Sequence, residues 1–206
     1  LVRRLKIDST RTALRQDLGI SDGEIVIFTG GKLTPYRQTE VLLRAVPFLR
    51  QFPLKIVVVG DSGEEARDYK EFLLGLAQGL DNVMWAGWLG KLAVYRYMRM
   101  ADLAVFPASQ SIMWQQAIAS GLPLVVGDTG SQDISYLNLR DNIVILPRDE
   151  IRPERLAEVI TELLIEPGRL AQMARGAAAV ADEQLDWDKL IERTLRFNRQ
   201  SSQQGP

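Results

Sequence analysis

Residues 24–37 read EIVIFTGGKLTPYR, a segment that predicts a β-strand followed by a glycine-rich loop with two cations. Its first part, Glu24 to Thr29, is a short run rich in β-branched residues, which strands favour. Similar runs recur as far as Leu146 and alternate with amphipathic stretches, which indicates a parallel sheet with crossover helices. The predicted strands are Glu24 to Thr29, Leu54 to Val59, Asn82 to Ala86, Leu103 to Phe106, Leu122 to Val126 and Asn142 to Leu146.

The predicted fold class is α/β, with six parallel strands in a doubly wound, Rossmann-like sheet. Two of the runs, residues 56–59 and 124–126, are continuously apolar, as expected of strands covered on both faces. The helices predicted before the last strand are Ser9 to Leu18, Thr39 to Gln51 with a kink at Pro47, Glu64 to Gln78, Leu92 to Met100 and Ser111 to Ser120. A C-terminal helical extension is predicted as Pro153 to Ile165, Pro167 to Ala181 and Asp186 to Phe197.

The composition excludes several kinds of chemistry. The chain of 206 residues has no Cys and no His, so disulfides, thiol catalysis, His-ligated zinc and Ser-His-Asp catalysis are excluded. Its 25 Lys and Arg nearly balance its 26 Asp and Glu, which argues against nucleic acid as a partner. No apolar run approaches the ~20 residues of a membrane-spanning helix, and Leu1 to Thr10 lacks the apolar core of a signal peptide, so a cytoplasmic location is expected.

The extent of the domain is also predicted from composition. We expect one domain over residues 1–198 and a disordered tail over residues 199–206, which have nothing large to bury. The chain begins with Leu1 and not with Met, which suggests a piece of a longer protein.

Ligands of doubly wound sheets bind beyond the carboxyl ends of the strands, so the loops at these ends are the candidate site. In the first loop, Gly30 and Gly31 allow close approach of the backbone to a ligand, and Lys32 and Arg37 can converge on a pyrophosphate. An exposed turn with ordinary surface charges is the alternative that the residues leave open. The next loop, residues 60–64, is interpreted as a plain tight turn.

The loop after the fourth predicted strand is polar and leads into a helix. The amides of the first helical turn, near Ser111 and Ile112, favour an anion. Gln and Trp side chains near this entry, including Trp114, suit a sugar, although either residue taken alone is as well explained by core packing or by an exposed helix face.

A series of short motifs occurs in a characteristic order. They are FTGGKL at 28–33, LRA at 43–45, VVVGD at 57–61, NV at 82–83 with Gly87, ADL at 101–103, AIASGLP at 117–123 and DTG at 128–130. Each is weak, but the ordered set, from about Arg11 to Phe197, resembles the large retaining GT-B glycosyltransferase family, group 1. The resemblance implies one half of a GT-B fold, whose partner is a missing N-terminal acceptor-binding domain.

The same resemblance implies an activity and site residues. The chain would bind a nucleotide sugar and transfer the sugar to an acceptor hydroxyl with retention, in glycan or cell-surface polysaccharide biosynthesis, with no cofactor and no obligatory metal. Lys32 and Arg37 fall where the family binds the donor diphosphate, with Lys and Arg interchanged, and Gly87 and Trp88 fall where it holds the base. This half alone is expected to be inactive, because the cleft that excludes water needs both domains.

The chain departs from the family at its two Glu positions, the second of which is placed to bind ribose. The second position is Gln116 here, and the first is best matched by Gln110. An amide can still bond hydroxyls, so donor binding survives this change more easily than catalysis. A noncatalytic nucleotide-sugar-binding or scaffolding domain therefore remains an alternative, and half of a sugar-nucleotide epimerase is a more distant one.

Overall fold

The computed structural model describes residues 7–108, 112–130 and 133–186, together with Lys189. The strands of this part are β1 (Ile25–Gly30), β2 (Leu54–Val59), β3 (Val83–Gly87), β4 (Leu103–Phe106), β5 (Leu124–Gly127) and β6 (Ile143–Leu146). The α-helices are α1 (Ile7–Asp17), α2 (Thr39–Ala45), α3 (Arg67–Ala77), α4 (Lys91–Met100), α5 (Ile112–Ala119), α6 (Pro153–Ile165) and α7 (Arg169–Gln184). Short 3-10 turns are formed by Pro35–Arg37, Val46–Leu49, Glu64–Ala66, Ser135–Leu137 and Arg148–Glu150.

The strands form one parallel sheet in the order β3-β2-β1-β4-β5-β6. The chain proceeds outward from β1 to β3, then returns to the other side of β1 and proceeds outward again from β4. The strand order therefore reverses between β1 and β4, which is the point where ligands of such sheets bind. The predicted doubly wound sheet of six parallel strands is confirmed.

Each face of the sheet is covered by its own hydrophobic cluster. Val26 and Phe28 of β1 belong to the cluster that includes α4 and α5, whereas Ile27 belongs to the cluster that includes α2, α3 and α6. All three side chains have no exposed surface. Helix α7 contributes to both clusters, with Met173 in one and Ala177 in the other. Burial on both faces is the reason that residues 26–28 of β1 and 56–59 of β2 are apolar at every position.

The helix predicted over Thr39 to Gln51 is divided in the structure. Helix α2 ends at Ala45, and Val46–Leu49 forms a 3-10 turn around Pro47, since proline has no amide to donate within a helix. The predicted position of the kink is therefore confirmed. The helix ends before Pro47, however, and does not continue beyond it as a kinked α-helix.

Two other predicted helices begin later than expected. Residues Glu64–Ala66 form a 3-10 turn ahead of α3. The prediction that the next-to-last helix starts at Pro167 is wrong, because Gly168 has a φ of 77° and the helix begins only at Arg169. The helix predicted over Asp186 to Phe197 and the predicted tail over 199–206 lie outside the described residues, apart from Asp186 and Lys189.

Candidate functional site

The loops after β1, β2 and β3 lie side by side along the carboxyl edge of the sheet. The amide of Gly31 donates to the carbonyl of Val59 at 2.9 Å, and the amide of Gly60 donates to the carbonyl of Gly87 at 2.7 Å. These bonds continue the pairing of the strands as far as the loops. The segments predicted to bind the diphosphate and the base, after β1 and β3, therefore lie on the same edge with only one loop between them.

The two glycines at the end of β1, Gly30 in the strand and Gly31 directly after it, serve different purposes. A Cβ added to Gly30 would lie 2.1 Å from the carbonyl oxygen of Val59, so the close approach of β1 to β2 requires glycine at this position. The predicted reason, approach of a ligand, is not needed to explain it. Gly31 has a φ of 119°, and a Cβ added to it would lie 3.7 Å from Cγ of Met113 in α5. Gly31 therefore faces the first turn of α5 across the point where the strand order reverses.

The two predicted cations follow β1 in different environments. The Lys32 side chain is 55% exposed and forms an ion pair with Glu65. Arg37 ends the 3-10 turn that begins at Pro35 and is half-buried. Burial lowers the pKa of the Arg37 guanidinium from its ordinary value, but arginine stays charged in proteins. The loop thus presents one solvated ammonium and one partly desolvated guanidinium.

The predicted base-binding residues lie at the end of β3, with Gly87 as its last residue and Trp88 directly after it. Gly87 has a φ of 66°, which turns the chain out of the sheet at a position that favours glycine. The next residue, Trp88, is 72% exposed. An indole ring in this position has an open face for stacking on another aromatic ring.

The predicted contributions of α5 are only partly described. Ser111 and Gln110 lie outside the described residues, whereas Ile112 begins the helix and is 68% exposed. Trp114 is 4% exposed and packs in the hydrophobic cluster with α4, which is the alternative that the sequence left open for it. Gln116 is half-buried, so its side chain has some access to solvent.

The connection after β2, predicted from the sequence as a plain turn, contributes a residue next to the candidate site. Glu65, one residue beyond that loop, is the ion-pair partner of Lys32. The hydrogen bond from Lys32, together with one from the backbone amide of Glu65 itself, holds the pKa of the Glu65 carboxyl below its ordinary value. The sequence did show that Glu65 lies shortly after a predicted strand, near the carboxyl edge of the sheet. A carboxylate was not expected at a phosphate site, because both groups are negatively charged.

Within the described part of the chain, no three or more His, Asp or Glu side chains are grouped so that they could hold a metal ion. Among the same residues, no helix has both the length and the apolar character needed to cross a bilayer.

Known proteins resemble this chain in sequence, and those relatives are longer than the chain. The model of the family described as glycosyl transferases group 1 matches residues 23–166. The D-inositol 3-phosphate glycosyltransferase of Rhodococcus erythropolis is 27% identical over 202 residues, covering 93% of this chain and 45% of the relative. An uncharacterized glycosyltransferase of Methanocaldococcus jannaschii is 25% identical over 185 residues, covering 88% of this chain and 46% of the relative. The chain thus spans about half the length of the curated relatives it matches.

Solved structures share the fold. Anabaena HepE in complex with UDP-glucose has a TM-score of 0.76 at 20% identity, over 93% of this chain and 53% of that chain. The C-terminal domain of a group 1 family glycosyl transferase (LpcC) from Francisella tularensis has a TM-score of 0.75 at 15% identity, over 90% of this chain and 98% of that chain. Because the family match covers well over half of its residues, the chain belongs to the group 1 glycosyltransferase family.

Proposed function

We propose that this chain is the donor-binding half of a glycosyltransferase and that it binds a nucleoside diphosphate sugar at the carboxyl edge of its sheet. The observation that carries the proposal is the approach of Gly31 to Met113. A Cβ added to Gly31 would lie 3.7 Å from Cγ of Met113. It brings the loop with Lys32 and Arg37 next to the amino end of α5. Cationic side chains and helix amino ends both favour phosphate oxygens.

The names of similar proteins support this substrate class. HepE of Anabaena has been solved with UDP and with UDP-glucose, and the curated relatives include D-inositol 3-phosphate glycosyltransferases. In this chain we assign the diphosphate to the Gly31–Arg37 loop and to the amides near Ser111 and Ile112. The base is assigned to Gly87 and Trp88, because Trp88 is exposed on the same edge.

The proposed reaction transfers the sugar to an acceptor hydroxyl with retention of anomeric configuration, in glycan or cell-surface polysaccharide biosynthesis in the cytoplasm. Lys32 and Arg37 would neutralise the charge that develops on the leaving diphosphate, which is electrostatic catalysis. No cofactor or obligatory metal is included in the proposal, since the two cations supply the positive charge.

The proposed partner is an N-terminal acceptor-binding domain of the same protein. The relatives of known length are about twice as long as the matched part of this chain. Transfer requires that water be kept from the donor, which one open half cannot do. The 206-residue chain alone is therefore expected to bind the donor without transferring the sugar.

The decisive experiment is calorimetric titration of the chain with UDP, GDP and ADP. Saturable binding of at least one of them, lost when Lys32 and Arg37 are both replaced by Ala, is the expected result. Sugar transfer by the chain alone would contradict the assignment of an inactive half. Absence of binding by all three nucleotides would overturn the donor-binding proposal.

A noncatalytic donor-binding domain is the second candidate, and the composition of α5 favours it. The helix reads IMWQQAIA and contains no carboxylate, so Gln116 stands where the resemblance expects Glu. A longer protein that includes the proposed N-terminal domain would distinguish the two candidates when its donor binding and its sugar transfer are both measured. Donor binding without transfer to any acceptor or to water selects the noncatalytic function, whereas turnover selects the transferase.

A further inference from the structure

Glu65 contacts Lys32, one of the two cations that the proposed function assigns to the donor diphosphate. Its carboxylate forms an ion pair with the ammonium of Lys32, and the two side chains are 61% and 55% exposed. Glu65 lies in the 3-10 turn that follows β2, and Lys32 lies in the loop after β1, so the contact depends on the neighbouring positions of these strands in the sheet. Exposed ion pairs of this kind contribute little to stability, and a better anion can therefore replace Glu65 at low cost.

The segments that carry Lys32 and Glu65 are joined through the backbone. The amide of Leu33 donates to the carbonyl of Asp61 at 2.9 Å, which ties the loop after β1 to the loop after β2. The carboxylate of Asp61 is in turn 2.7 Å from the ammonium of Lys70 in α3. Glu65 is thus presented to Lys32 by two loops that are bonded to each other.

Gly63 provides the space in which the Glu65 carboxylate lies. A Cβ added to Gly63 would lie 2.1 Å from Oε2 and 2.7 Å from Oε1 of Glu65. The backbone of Gly63 has φ −76° and ψ 175°, which every residue type adopts without strain. Alanine at position 63 would therefore displace the Glu65 carboxylate without straining the backbone.

We propose that Glu65 is an anionic stand-in for the donor diphosphate, holding Lys32 in the absence of donor and leaving it when the diphosphate binds. This inference rests on the proposed function. An ammonium has three donors and could contact both anions, but a carboxylate beside a diphosphate is repelled by its charge. Glu65 therefore competes with the donor and sets its affinity through Lys32.

The test compares three variants of the full 206-residue chain, with UDP and inorganic pyrophosphate as probes in calorimetry. Glu65→Gln removes the competing charge. Glu64→Gln removes the same charge one residue away, where the carboxylate pairs with Arg67 and is 89% exposed. Gly63→Ala retains both charges but displaces the Glu65 carboxylate from its space.

Glu65→Gln and Gly63→Ala are both expected to tighten binding of both probes by about two- to fivefold, the range set by exposed ion pairs, while Glu64→Gln leaves it unchanged. Equal tightening by Glu64→Gln and no effect of Gly63→Ala would show a general charge effect and overturn the inference. Weaker binding by Glu65→Gln would show that Glu65 assists the donor, and would overturn it as well.

Failure of the proposed function has a different signature. Lys32→Ala should weaken pyrophosphate binding and abolish the effect of Glu65→Gln in the double variant. If Lys32→Ala binds pyrophosphate like the unmodified chain, the diphosphate is misplaced and the stand-in role is lost with it. If Lys32→Ala weakens binding but the effect of Glu65→Gln persists beside it, the proposed function stands and only the stand-in role is wrong.

Discussion

The carboxylate of Asp102, the residue before β4, accepts a hydrogen bond of 2.8 Å from the backbone amide of Val26 in β1. It also accepts from Arg11 at 2.7 Å and from Arg15 at 3.3 Å, both on α1. Arg15 is only 5% exposed. A single carboxylate therefore joins the first helix to the starts of the two strands that border the point of reversal, at the edge of the sheet opposite the candidate site.

Asp102→Ala is expected to lower the free energy of unfolding by about 2–4 kcal/mol, because it leaves the buried Arg15 guanidinium without its counter-charge and the Val26 amide without its acceptor. Urea denaturation measures the loss. The control is Asp81→Ala, which removes an exposed carboxylate and should change stability by less than about 0.5 kcal/mol. Equal effects of the two substitutions would contradict the role of Asp102.

Gln38→Gly is expected to stabilise the protein by about 0.5–1 kcal/mol. Gln38 lies between the 3-10 turn and α2 with φ 49° and ψ 38°. This left-handed conformation costs a residue with a Cβ about 1–2 kcal/mol. Glycine avoids that cost, but part of the gain is offset because glycine makes the unfolded chain more flexible. The same change at the exposed Gln16 in α1 should instead destabilise the protein. Thermal unfolding of both variants checks the prediction, and a lower Tm for Gln38→Gly would refute it.

Lys32→Ala and Arg37→Ala are each expected to weaken diphosphate binding by about 1.5–3 kcal/mol, the range of hydrogen bonds to charged groups. The larger loss is expected for Arg37, because it is the less exposed of the two. Calorimetry with the tightest-binding nucleoside diphosphate measures both. Arg50→Ala, an exposed charge in the connection that precedes β2, is the control and should bind normally. Normal binding by both site variants would mean that the phosphate site lies elsewhere.

Trp88→Ala is expected to weaken binding of the nucleoside diphosphate by about 1–3 kcal/mol, as stacking of a base on an aromatic side chain contributes this much. Pyrophosphate has no base, so its affinity should not change. Trp88 is 72% exposed, so its removal should not affect folding. A parallel loss of affinity for both ligands would exclude a role limited to the base.

Gln116→Glu tests the ribose assignment. If the side chain faces the ribose, a carboxylate accepts stronger hydrogen bonds from the hydroxyls, and donor affinity should rise or hold. Gln116 is half-buried and precedes the buried Ala117 and Ile118, so a purely structural position would make the unpaired carboxylate costly. Donor affinity and Tm are measured on the same variant. A lower Tm with no gain in affinity would exclude the ribose role.

The strands were predicted closely because their signal is local. The bounds of β2 and β4 match the predicted ones, and the other strands differ by no more than two residues at either end. Burial on both faces makes most strand positions apolar, so a strand can be recognised without knowledge of its neighbours. The break at Pro47 is also local, because it depends on the missing amide of the proline itself. Gly168 was missed because its left-handed φ, and not the preceding proline, sets the start of α7.

The candidate site was predictable only to the extent that its residues are close in the chain. Gly30, Gly31, Lys32 and Arg37 follow one strand, and both their charges and their edge of the sheet could be inferred. Two other features could not be inferred: the ion pair of Glu65 with Lys32, and the position of Gly30 against the carbonyl of Val59. Both join loops or strands that are distant in the chain.

Local sequence is enough to specify which segments of this chain become strands, where cations follow them, and which chemistry its missing His and Cys exclude. The strand order β3-β2-β1-β4-β5-β6 has to come from the folded chain. It depends on contacts between distant segments, such as the hydrogen bond that joins residues 76 positions apart at Val26 and Asp102. Because strand order decides which loops are neighbours, the approach of Gly31 to Met113 and the ion pair of Lys32 with Glu65 exist only in the tertiary structure.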